Sequence, residues 1–407
     1  MTAQILRFAT ARPPVASIAT PGASLRVEAV VDLAAFTQMK DPWNQLLEES
    51  RSDSIFLTWE WLHSWWGRLS GARRLHILTV RRGTELVAIA PLASTGTNWL
   101  GLSTLEFLGT GRVGSDYLDV IIRRGEEEQA LQVLTSHLAR SGAILDLKQL
   151  RTTSSAGRKM ASSLRRSGCL IRSTRTHRCP FIDLRGLSFE TYLSSLGSEH
   201  RYNFQRRLRR LETKHRLRFE CVSSEARRRE VLPILFELHR LRWESRGGDG
   251  LVGPGIREFH DDVTGLALDR GWLRLFVLWL GGSPGATLYG FRHGSVFSFY
   301  QSGFDPRFSR LSVGLVAMGL AIKSAIEEGA HEFDLLHGEE PYKSHWARRS
   351  RSLSRAVVFP ANPPGRASWG EAAVVEGLRG LKRTARKVWA AGLSRATNGG
   401  AHAAPIR

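Results

Sequence analysis

The spacing of hydrophobic residues divides the chain into two stretches that share one order of elements. The first stretch predicts a hairpin, a strand, a glycine-rich loop, a helix and a strand, with the hairpin turn at Gly83-Thr84. Its predicted strands are 25–31, 75–82, 85–94, 105–109, 116–122 and 143–150, and its predicted helices are 42–49, 59–69 and 126–141. Three glutamates at 126–128 suit the positive end of a helix, which supports the last of these helices.

The second stretch repeats this order. Its predicted strands are 272–280, 286–294, 296–304 and 331–338, and its predicted helices are 225–246 and 312–328. A glycine-rich turn at 281–285 joins the first two strands, and a short loop at 305–310 leads into the second helix. The repetition predicts an α/β (α+β) fold built from two copies of one unit.

Composition sets the expected domain boundaries. Residues 1–23 are rich in Ala, Thr and Pro and lack the apolar core of a secretory signal, so a disordered leader is expected there. The two units are expected over 24–178 and 179–360. Residues 361–407 are expected to be a basic, loop-like tail that can form an amphipathic helix.

The chain is strongly basic. Its 407 residues include 58 Lys or Arg against 38 Asp or Glu, a formal net charge of +20, and eight of the basic residues are lysines. The most basic segment, 199–218, has apolar residues at helical spacing, so one face can pack while the other stays charged. Two interpretations remain open: affinity for a polyanion such as nucleic acid or anionic lipid, and a genome-wide bias toward arginine.

The rest of the composition excludes several classes of protein. With 42% hydrophobic and 24% charged residues, the chain has the profile of a folded globular protein. No stretch approaches the ~20 apolar residues of a membrane span. The three cysteines have neither metal-ligand nor disulfide-scaffold spacing. A cytoplasmic protein without a metal is expected, with peripheral attachment to the inner face of the membrane left open.

One segment predicts an anion site. A strand ends at Gly303, a basic loop follows, and a helix opens where Ser312 can cap it and Gly314 lets a phosphate approach the backbone. Arg307 and Arg310 supply counter-charge. An ordinary capped helix start is the alternative.

The order of hairpin, strand, phosphate loop, helix and strand is similar to that of the GNAT acyltransferase superfamily. The loop from Ser309 to Gly314 has the spacing of its Arg/Gln-x-x-Gly-x-Gly motif and keeps the last glycine. Closer still, the chain resembles the CelD/BcsL-type acetyltransferases associated with cellulose and exopolysaccharide synthesis, which are related to the FemABX aminoacyl transferases. The motifs that carry this resemblance are WEWLHSWW, NFQRRLRRLE, LHRLRWESRGG, YQSGFDP, LSVG and FDLLHGEEPYKSHW.

The resemblance implies two tandem GNAT-like units, each a mixed, largely antiparallel twisted sheet flanked by helices. It also implies acetyl-CoA, or another acyl-CoA, as co-substrate. The residues that would contact this donor are Arg310, Ser312, Val313, Gly314, Tyr342 and Lys343. For Lys343, a solvated surface position is the alternative.

Four residues are candidates for the acid–base chemistry of acyl transfer. The resemblance implies that His239 flanks the acceptor cleft as a general base, and that Tyr300 lies beside the thioester. A satisfied histidine and a core tyrosine are the alternatives. Asp305 either orients the phosphate loop, acts on the acceptor or caps a turn. Asp334 lies among apolar residues, so its charge must be paired or functional.

The leading hypothesis is an acyl-CoA-dependent N- or O-acetyltransferase acting on a saccharide precursor of the cell envelope or of an exopolysaccharide. A FemABX-like enzyme using aminoacyl-tRNA is the second hypothesis, because the basic segment 199–218 suits tRNA phosphates. A non-catalytic accessory of a membrane-bound polysaccharide synthase is the third.

Two roles are open for the tryptophans at 59, 61, 65 and 66. They stack on sugar rings or, because they recur at helical spacing, form a stripe in the hydrophobic core.

Overall fold

The computed structural model describes residues 24–153, 155–244, 253–338 and 340–375. Its strands are β1 (Leu25–Val30), β2 (Arg74–Leu75), β3 (Ile77–Arg82), β4 (Glu85–Ala90), β5 (Leu92–Thr97), β6 (Ser103–Phe107), β7 (Ile121–Ile122), β8 (Ile144–Arg151), β9 (Leu170–Asp183), β10 (Leu217–Cys221), β11 (Leu273–Leu280), β12 (Ser283–His293), β13 (Val296–Phe304), β14 (Glu332–Asp334) and β15 (Arg349–Phe359). Its helices are α1 (Leu33–Gln38), α2 (Lys40–Glu48), α3 (Trp59–Leu69), α4 (Glu127–Ser141), α5 (Ala156–Arg166), α6 (Phe189–Ser195), α7 (Ser198–His215), α8 (Glu225–Glu244), α9 (Ile256–Asp269), α10 (Val313–Glu327) and α11 (Pro341–Trp346).

The strands form two sheets. One has four strands in the order β1-β3-β4-β7, and the other has eleven in the order β10-β11-β12-β13-β14-β9-β15-β8-β6-β5-β2. Most neighbours are antiparallel, but β6 pairs β8 in parallel and β13 pairs β14 in parallel. A helix connects each parallel pair, α4 in the first half and α10 in the second. The predicted mixed, largely antiparallel fold with a repeated unit is therefore confirmed.

The two units share one continuous sheet. β15, at the end of the second unit, pairs with β8 of the first unit on one side and with β9 on the other. β9 in turn pairs with β14 of the second unit. The predicted boundary between residues 178 and 179 lies inside β9, which runs without a break from one unit to the other.

Two predicted strands are much shorter than the sequence suggested. Of the strand predicted over 116–122, only β7 forms, and Tyr117 takes a φ of +57°, a left-handed conformation that an extended strand does not contain. The strand predicted over 331–338 stops at Asp334, and Leu336 takes a φ of +55°. Both predictions were wrong about length because apolar composition does not report backbone dihedral angles. In each case, residues that were predicted to be in the strand but lie outside it form part of the site described below.

The tryptophan-rich helix α3 joins the two halves. The Thr58 side chain caps it by accepting from the Trp61 N–H at 3.3 Å. Trp61 is 1% exposed, and its ring meets Phe259 of α9 edge-on at 5.1 Å between centroids and Tyr300 of β13 at 5.4 Å. Trp65 is equally buried, so the core interpretation of this stripe is confirmed.

The ends of the chain are only partly described. The predicted leader, residues 1–23, lies outside the described residues. Residues 363–375 are helical, and the rest of the predicted tail helix lies outside the described part. Within the described residues, no helix combines the length and the apolar content that a bilayer span requires.

Helix α8 packs directly on β13 at a glycine. A Cβ on Gly303 would lie 2.3 Å from the His239 nitrogen and 2.4 Å from the Leu238 carbonyl carbon. Because both atoms belong to the helix backbone, no side-chain rotation relieves the contact. The glycine therefore sets how closely the helix approaches the strand.

We expect Gly303→Ala to lower the free energy of unfolding by about 1–3 kcal/mol, the usual range for overpacking. Urea denaturation measures the change. Gly67→Ala is the matched control, since a Cβ at Gly67 meets no atom within 4 Å and the site is helical. Equal stability of the two variants would show that α8 moves away from the strand at no cost.

Candidate functional site

Two adjoining cavities lie where β13 and β14 separate. The parallel pairing covers only Val296 to Ser298 against Glu332 to Asp334, and the strands diverge beyond it. The α10 cavity, of about 450 Å³, is lined by residues of α7, β12, β13, α10 and α11. The His337 cavity, of about 240 Å³, is lined by the segments 112–114, 299–302 and 335–338, by residues 340, 342 and 343, and by the end of α8. Arg242, Ser302 and Tyr342 line both.

A bulge in β13 shapes the wall between them. The register pairs Gly290 with Phe299 and Tyr289 with Gln301, which leaves Tyr300 as the extra residue. The Tyr300 side chain is buried, and its hydroxyl donates to the carbonyl oxygen of Val113 in the first unit. Burial raises the pKa of this phenol above its ordinary value. The structure thus places Tyr300 on the His337 cavity with its hydroxyl bonded to the other unit.

The start of α10 faces the α10 cavity. Ser312 precedes the helix as predicted, but its φ is +56° and its side chain makes no capping hydrogen bond, so the predicted Ser312 cap was wrong. A Cβ on Gly314 would meet only Phe304, at 3.9 Å, which leaves open space above the first turn. The Thr287 hydroxyl, in the same cavity, is buried without a hydrogen-bond partner among the described residues. Uncapped N–H groups, open space and an unpartnered hydroxyl together suit a polar anionic ligand.

The basic helix α7 also reaches this cavity. His200, Asn203 and Arg207 line it, and the Arg207 guanidinium donates to the carbonyl of Arg310 at 3.0 Å. Arg310, a predicted donor contact, lines neither cavity and is joined to α7 through its backbone carbonyl. Val313 is buried behind the first turn, with 1% exposure.

Asp305 belongs to a turn. Its carboxylate accepts from the Arg307 backbone N–H at 2.9 Å and from the Arg307 Nε at 2.8 Å, and the residue caps a short 3₁₀ turn at Pro306–Leu311. These bonds to Arg307 lower the pKa of the carboxyl. Neither residue lines the two cavities. The predicted turn role is the one the geometry shows.

A loop of the first unit enters the site of the second. The Asp116 carboxylate, fully buried, accepts from the His337 backbone N–H and from the His337 Nδ1, both at 2.8 Å, and from the Gln149 side chain at 3.0 Å. The hydrogen bond to Asp116 raises the pKa of His337 above its ordinary value. The His337 side chain remains 34% exposed.

The neighbouring Tyr117 reaches Asp334. Its hydroxyl donates to Asp334 at 2.7 Å, and the Leu336 backbone N–H donates to the other carboxylate oxygen at 2.8 Å. Arg351 lies 3.8 Å from the same carboxylate. Burial raises the pKa of Asp334 to about 6 in spite of these contacts. The Asp334 carboxylate is therefore paired, and its partners are a phenol, a backbone amide and a guanidinium.

Lys343 is buried inside the second unit. Its ammonium donates to the His337 carbonyl at 2.8 Å and lies 3.0 Å from the Glu340 carboxylate. With 4% exposure, it is not the solvated surface lysine that the sequence left open. Lys343 holds the segment that carries His337, and Tyr342 beside it lines both cavities.

His239 lies on α8, which packs on β13. It is 2% exposed, and its Nδ1 is 3.1 Å from the Ser302 carbonyl oxygen, so Nδ1 carries the proton. Burial lowers the pKa of His239 to about 4. It lines neither cavity.

The sequence interpretation missed Asp116, Tyr117 and His337. Asp116 and Tyr117 were assigned to a strand, and His337 was assigned to the end of another. A signal was present, because a Ser-Asp pair after a glycine-rich loop is typical of a turn rather than a strand. The distance of 221 positions between Asp116 and His337 is beyond any local pattern. Among the described residues, no group of three or more His, Cys, Asp or Glu is placed to hold a metal ion.

Comparison with known proteins agrees with this geometry. Residues 198–344, which hold α10, β14, His337 and most of both cavities, match the family described as "Acetyltransferase (GNAT) domain". These residues form a GNAT acetyltransferase domain, and the chain is an acyltransferase. No curated protein matches the chain.

Solved structures share the fold over most of the chain. A crystal structure of FemX superposes with a TM-score of 0.57 at 10% identity and covers 81% of this chain and 96% of its own. L-PGS from Bacillus licheniformis gives 0.51 at 13% identity, over 84% and 96%. The C-terminal domain of a putative lysylphosphatidylglycerol synthetase from Agrobacterium fabrum gives 0.51 at 12% identity, over 84% and 98%. At these identities the likeness shows a common fold.

We expect Asp334 to make stability fall as pH rises. Its folded pKa of about 6 lies above the ~3.9 of an unfolded aspartate, so the folded state binds more protons between these values. The free energy of unfolding should therefore drop by up to about 3 kcal/mol from pH 4 to pH 7, relative to Asp334→Asn. Urea denaturation of both proteins across this range measures the difference. Parallel pH curves would contradict a raised carboxyl pKa.

Proposed function

We propose that the protein transfers an acyl group directly from acyl-CoA to an amine or hydroxyl of a saccharide precursor of the cell envelope or of an exopolysaccharide. The observation that carries this proposal is the pair of cavities that share Arg242, Ser302 and Tyr342 at the divergence of β13 and β14. One cavity suits the donor and the other the acceptor. Their shared wall is where the thioester and the nucleophile would meet.

The α10 cavity suits acyl-CoA in three respects. The first turn of α10 has no side-chain cap and has open space at Gly314, which supports a diphosphate there. Arg207 adds positive charge at the rim. The buried Thr287 hydroxyl supplies a hydrogen bond for an amide of the pantetheine arm, and such a bond would remove the cost of leaving it unpartnered.

The His337 cavity suits a small polar acceptor with a ring. Its lining combines aromatic side chains, Trp243 and Tyr342 among them, with Gln301 and His337. Aromatic faces with polar groups at their edges are the usual surroundings of bound sugars. The Trp243 indole N–H is shielded from solvent and has no hydrogen-bond partner among the described residues, so it is available to a ligand hydroxyl.

Direct transfer needs no covalent enzyme intermediate. A base takes the proton of the acceptor while its lone pair attacks the thioester carbonyl carbon, and the thiolate then leaves. Bringing donor and acceptor together across one wall supplies much of the rate enhancement by proximity.

We expect Gly314→Val to weaken CoA binding tenfold or more, because its side chain would fill the space above the first turn of α10. The fold should be retained, since a Cβ meets no atom closer than 3.9 Å. Isothermal titration with CoA measures the dissociation constant. Gly67→Val, at a helical glycine of α3 with equal space, is the control and should bind CoA as the wild type does. An unchanged dissociation constant in folded Gly314→Val would move the donor elsewhere.

A FemABX-like donor, aminoacyl-tRNA, is the second candidate because α7 carries an exposed basic face beside the donor cavity. Arg206, Arg209 and Arg210 are exposed, whereas Phe204 and Leu211 pack inward. Such a face binds the phosphates of a nucleic acid or an anionic membrane.

We expect the double change Arg209→Glu and Arg210→Glu to leave acetyl transfer to a soluble acceptor unchanged and to reduce binding to vesicles that contain phosphatidylglycerol. The loss of vesicle binding should be largest at low salt. At high salt, ions screen the attraction between the wild-type arginines and the vesicles, so less binding remains to be lost. Vesicle cosedimentation and a CoA-release assay measure the two effects. If the variant instead loses a tRNA-dependent turnover that the wild type shows, the aminoacyl-tRNA donor replaces acyl-CoA.

A further inference from the structure

The His337 ring lines the His337 cavity with its two nitrogens in different surroundings. Nδ1 lies 2.8 Å from Asp116 Oδ1, and an ionised carboxylate only accepts, so Nδ1 carries the proton of the neutral ring. Nε2 then holds the lone pair. The part of the chain that the structure describes gives Nε2 no hydrogen-bond partner and does not bury it. A Cβ on Gly114 would lie 3.1 Å from the ring, so the glycine leaves this side open.

We infer that His337 is the general base of the transfer and that Asp116, from the first unit, positions it. The inference rests on the proposed function, because it assigns a base to that reaction. A histidine whose Nδ1 is fixed by a buried carboxylate and whose Nε2 faces a cavity is the arrangement by which imidazole takes a proton from a nucleophile. The site is therefore complete only when both units are folded together.

The step conserves atoms and charge. Nε2 takes the proton of the acceptor hydroxyl or amine as the acceptor lone pair forms a bond to the thioester carbonyl carbon. The tetrahedral intermediate collapses, the carbon–sulfur bond breaks and its electron pair leaves on sulfur. The thiolate then takes the proton from the imidazolium, directly or through water, and His337 returns to its neutral form.

Several charged or titratable groups face His337. Asp116 comes from the loop of the first unit, Lys343 and Glu340 come from α11 and the residue before it, and the His177 ring of β9 lies 5.0 Å away between centroids. The hydrogen bond to Asp116 is the largest influence on the pKa of His337, which is raised although burial and Lys343 lower it. A base with a raised pKa is protonated at low pH, so activity rises with pH through that pKa.

The other candidates lack a free atom in this cavity. The Tyr300 hydroxyl is bonded to Val113, and both oxygens of Asp334 accept hydrogen bonds in a fully buried position. The His239 Nδ1 is hydrogen-bonded to the Ser302 carbonyl, and His239 lines neither cavity. Among these four side chains, His337 is the one that lines the His337 cavity with a ring nitrogen that no described residue hydrogen-bonds.

The experiment compares four variants with the wild type: His337→Gln, Asp116→Asn, His239→Gln and His331→Gln. The assay measures CoA release from acetyl-CoA with D-glucosamine, and separately with water as the acceptor, across the pH range. Titration with CoA measures donor binding in each protein. His331 is exposed and lies six positions before His337, so His331→Gln is the matched control and should behave as the wild type.

We expect His337→Gln to lower turnover by roughly 10²–10⁴-fold, to abolish the acid limb of the pH–rate profile and to bind CoA normally. Asp116→Asn should move the acid limb to lower pH, because the carboxylate that raises the pKa of His337 is gone, and should lower the plateau. A purely structural role would not move the limb. This shift is an independent readout should His337→Gln fold poorly.

Full turnover in folded His337→Gln, an unmoved limb in Asp116→Asn, or loss of the limb in His239→Gln would each overturn the assignment. None of these three outcomes contradicts the proposed function, because that function is tested by CoA binding and acetyl transfer in the wild type. A wild type that neither binds CoA nor releases it from acetyl-CoA would instead refute the proposed function.

Discussion

The buried carboxylate of Asp116 is the contact on which the rest of the site depends. A fully buried charge is tolerated only when hydrogen bonds replace its lost hydration. Asp116 obtains them from the backbone and ring of His337 and from Gln149, and so ties a loop of the first unit to the segment after β14. The same carboxylate fixes the tautomer of the histidine. One carboxylate thus joins the two units and orients the imidazole at their junction.

The backbone around this contact is held in conformations that are uncommon for these residue types. Tyr117 and Leu336 both have positive φ values, and their hydrogen bonds meet on Asp334. Such conformations persist only where the surroundings over-determine them. The loop is anchored at its far end as well, because the Asp119 carboxylate accepts from the Ser155 hydroxyl and from the Ala156 N–H at the start of α5, both at 3.0 Å. Local strain is therefore balanced by buried polar contacts on each side of the loop.

The two cavities differ in how they are assembled. The α10 cavity is built chiefly from elements close in sequence, a strand, a turn and the helix that follows, with α7 added at the rim. The His337 cavity needs residues 112–114 from the first unit beside residues 299–302 and 335–338 from the second. The first unit therefore forms part of the His337 cavity, whereas the residues that line the α10 cavity all belong to the second unit.

The sequence by itself determined the elements and their order. Local spacing was sufficient where an element depends on neighbours within a few residues. This holds for the alternation in β3, β4 and β11, for the hairpin turn at Gly83-Thr84 and for the helix α10 after a basic loop. The same locality placed Gly314 in the first turn of α10, where it lines the α10 cavity. The buried tryptophan stripe of α3 followed from helical periodicity.

Only the tertiary structure decided which polar residues meet. Asp116 and His337 are 221 positions apart, and what joins them is the continuous sheet in which β15 lies between β8 and β9. The sequence placed a base at His239, but that side chain is buried against a backbone carbonyl and lines neither cavity. It also placed a cap at Ser312, which has left-handed dihedral angles and makes no capping hydrogen bond. Periodicity reports which face of an element is apolar, whereas the partner of a buried charge is set by contacts that form only when distant elements pack together.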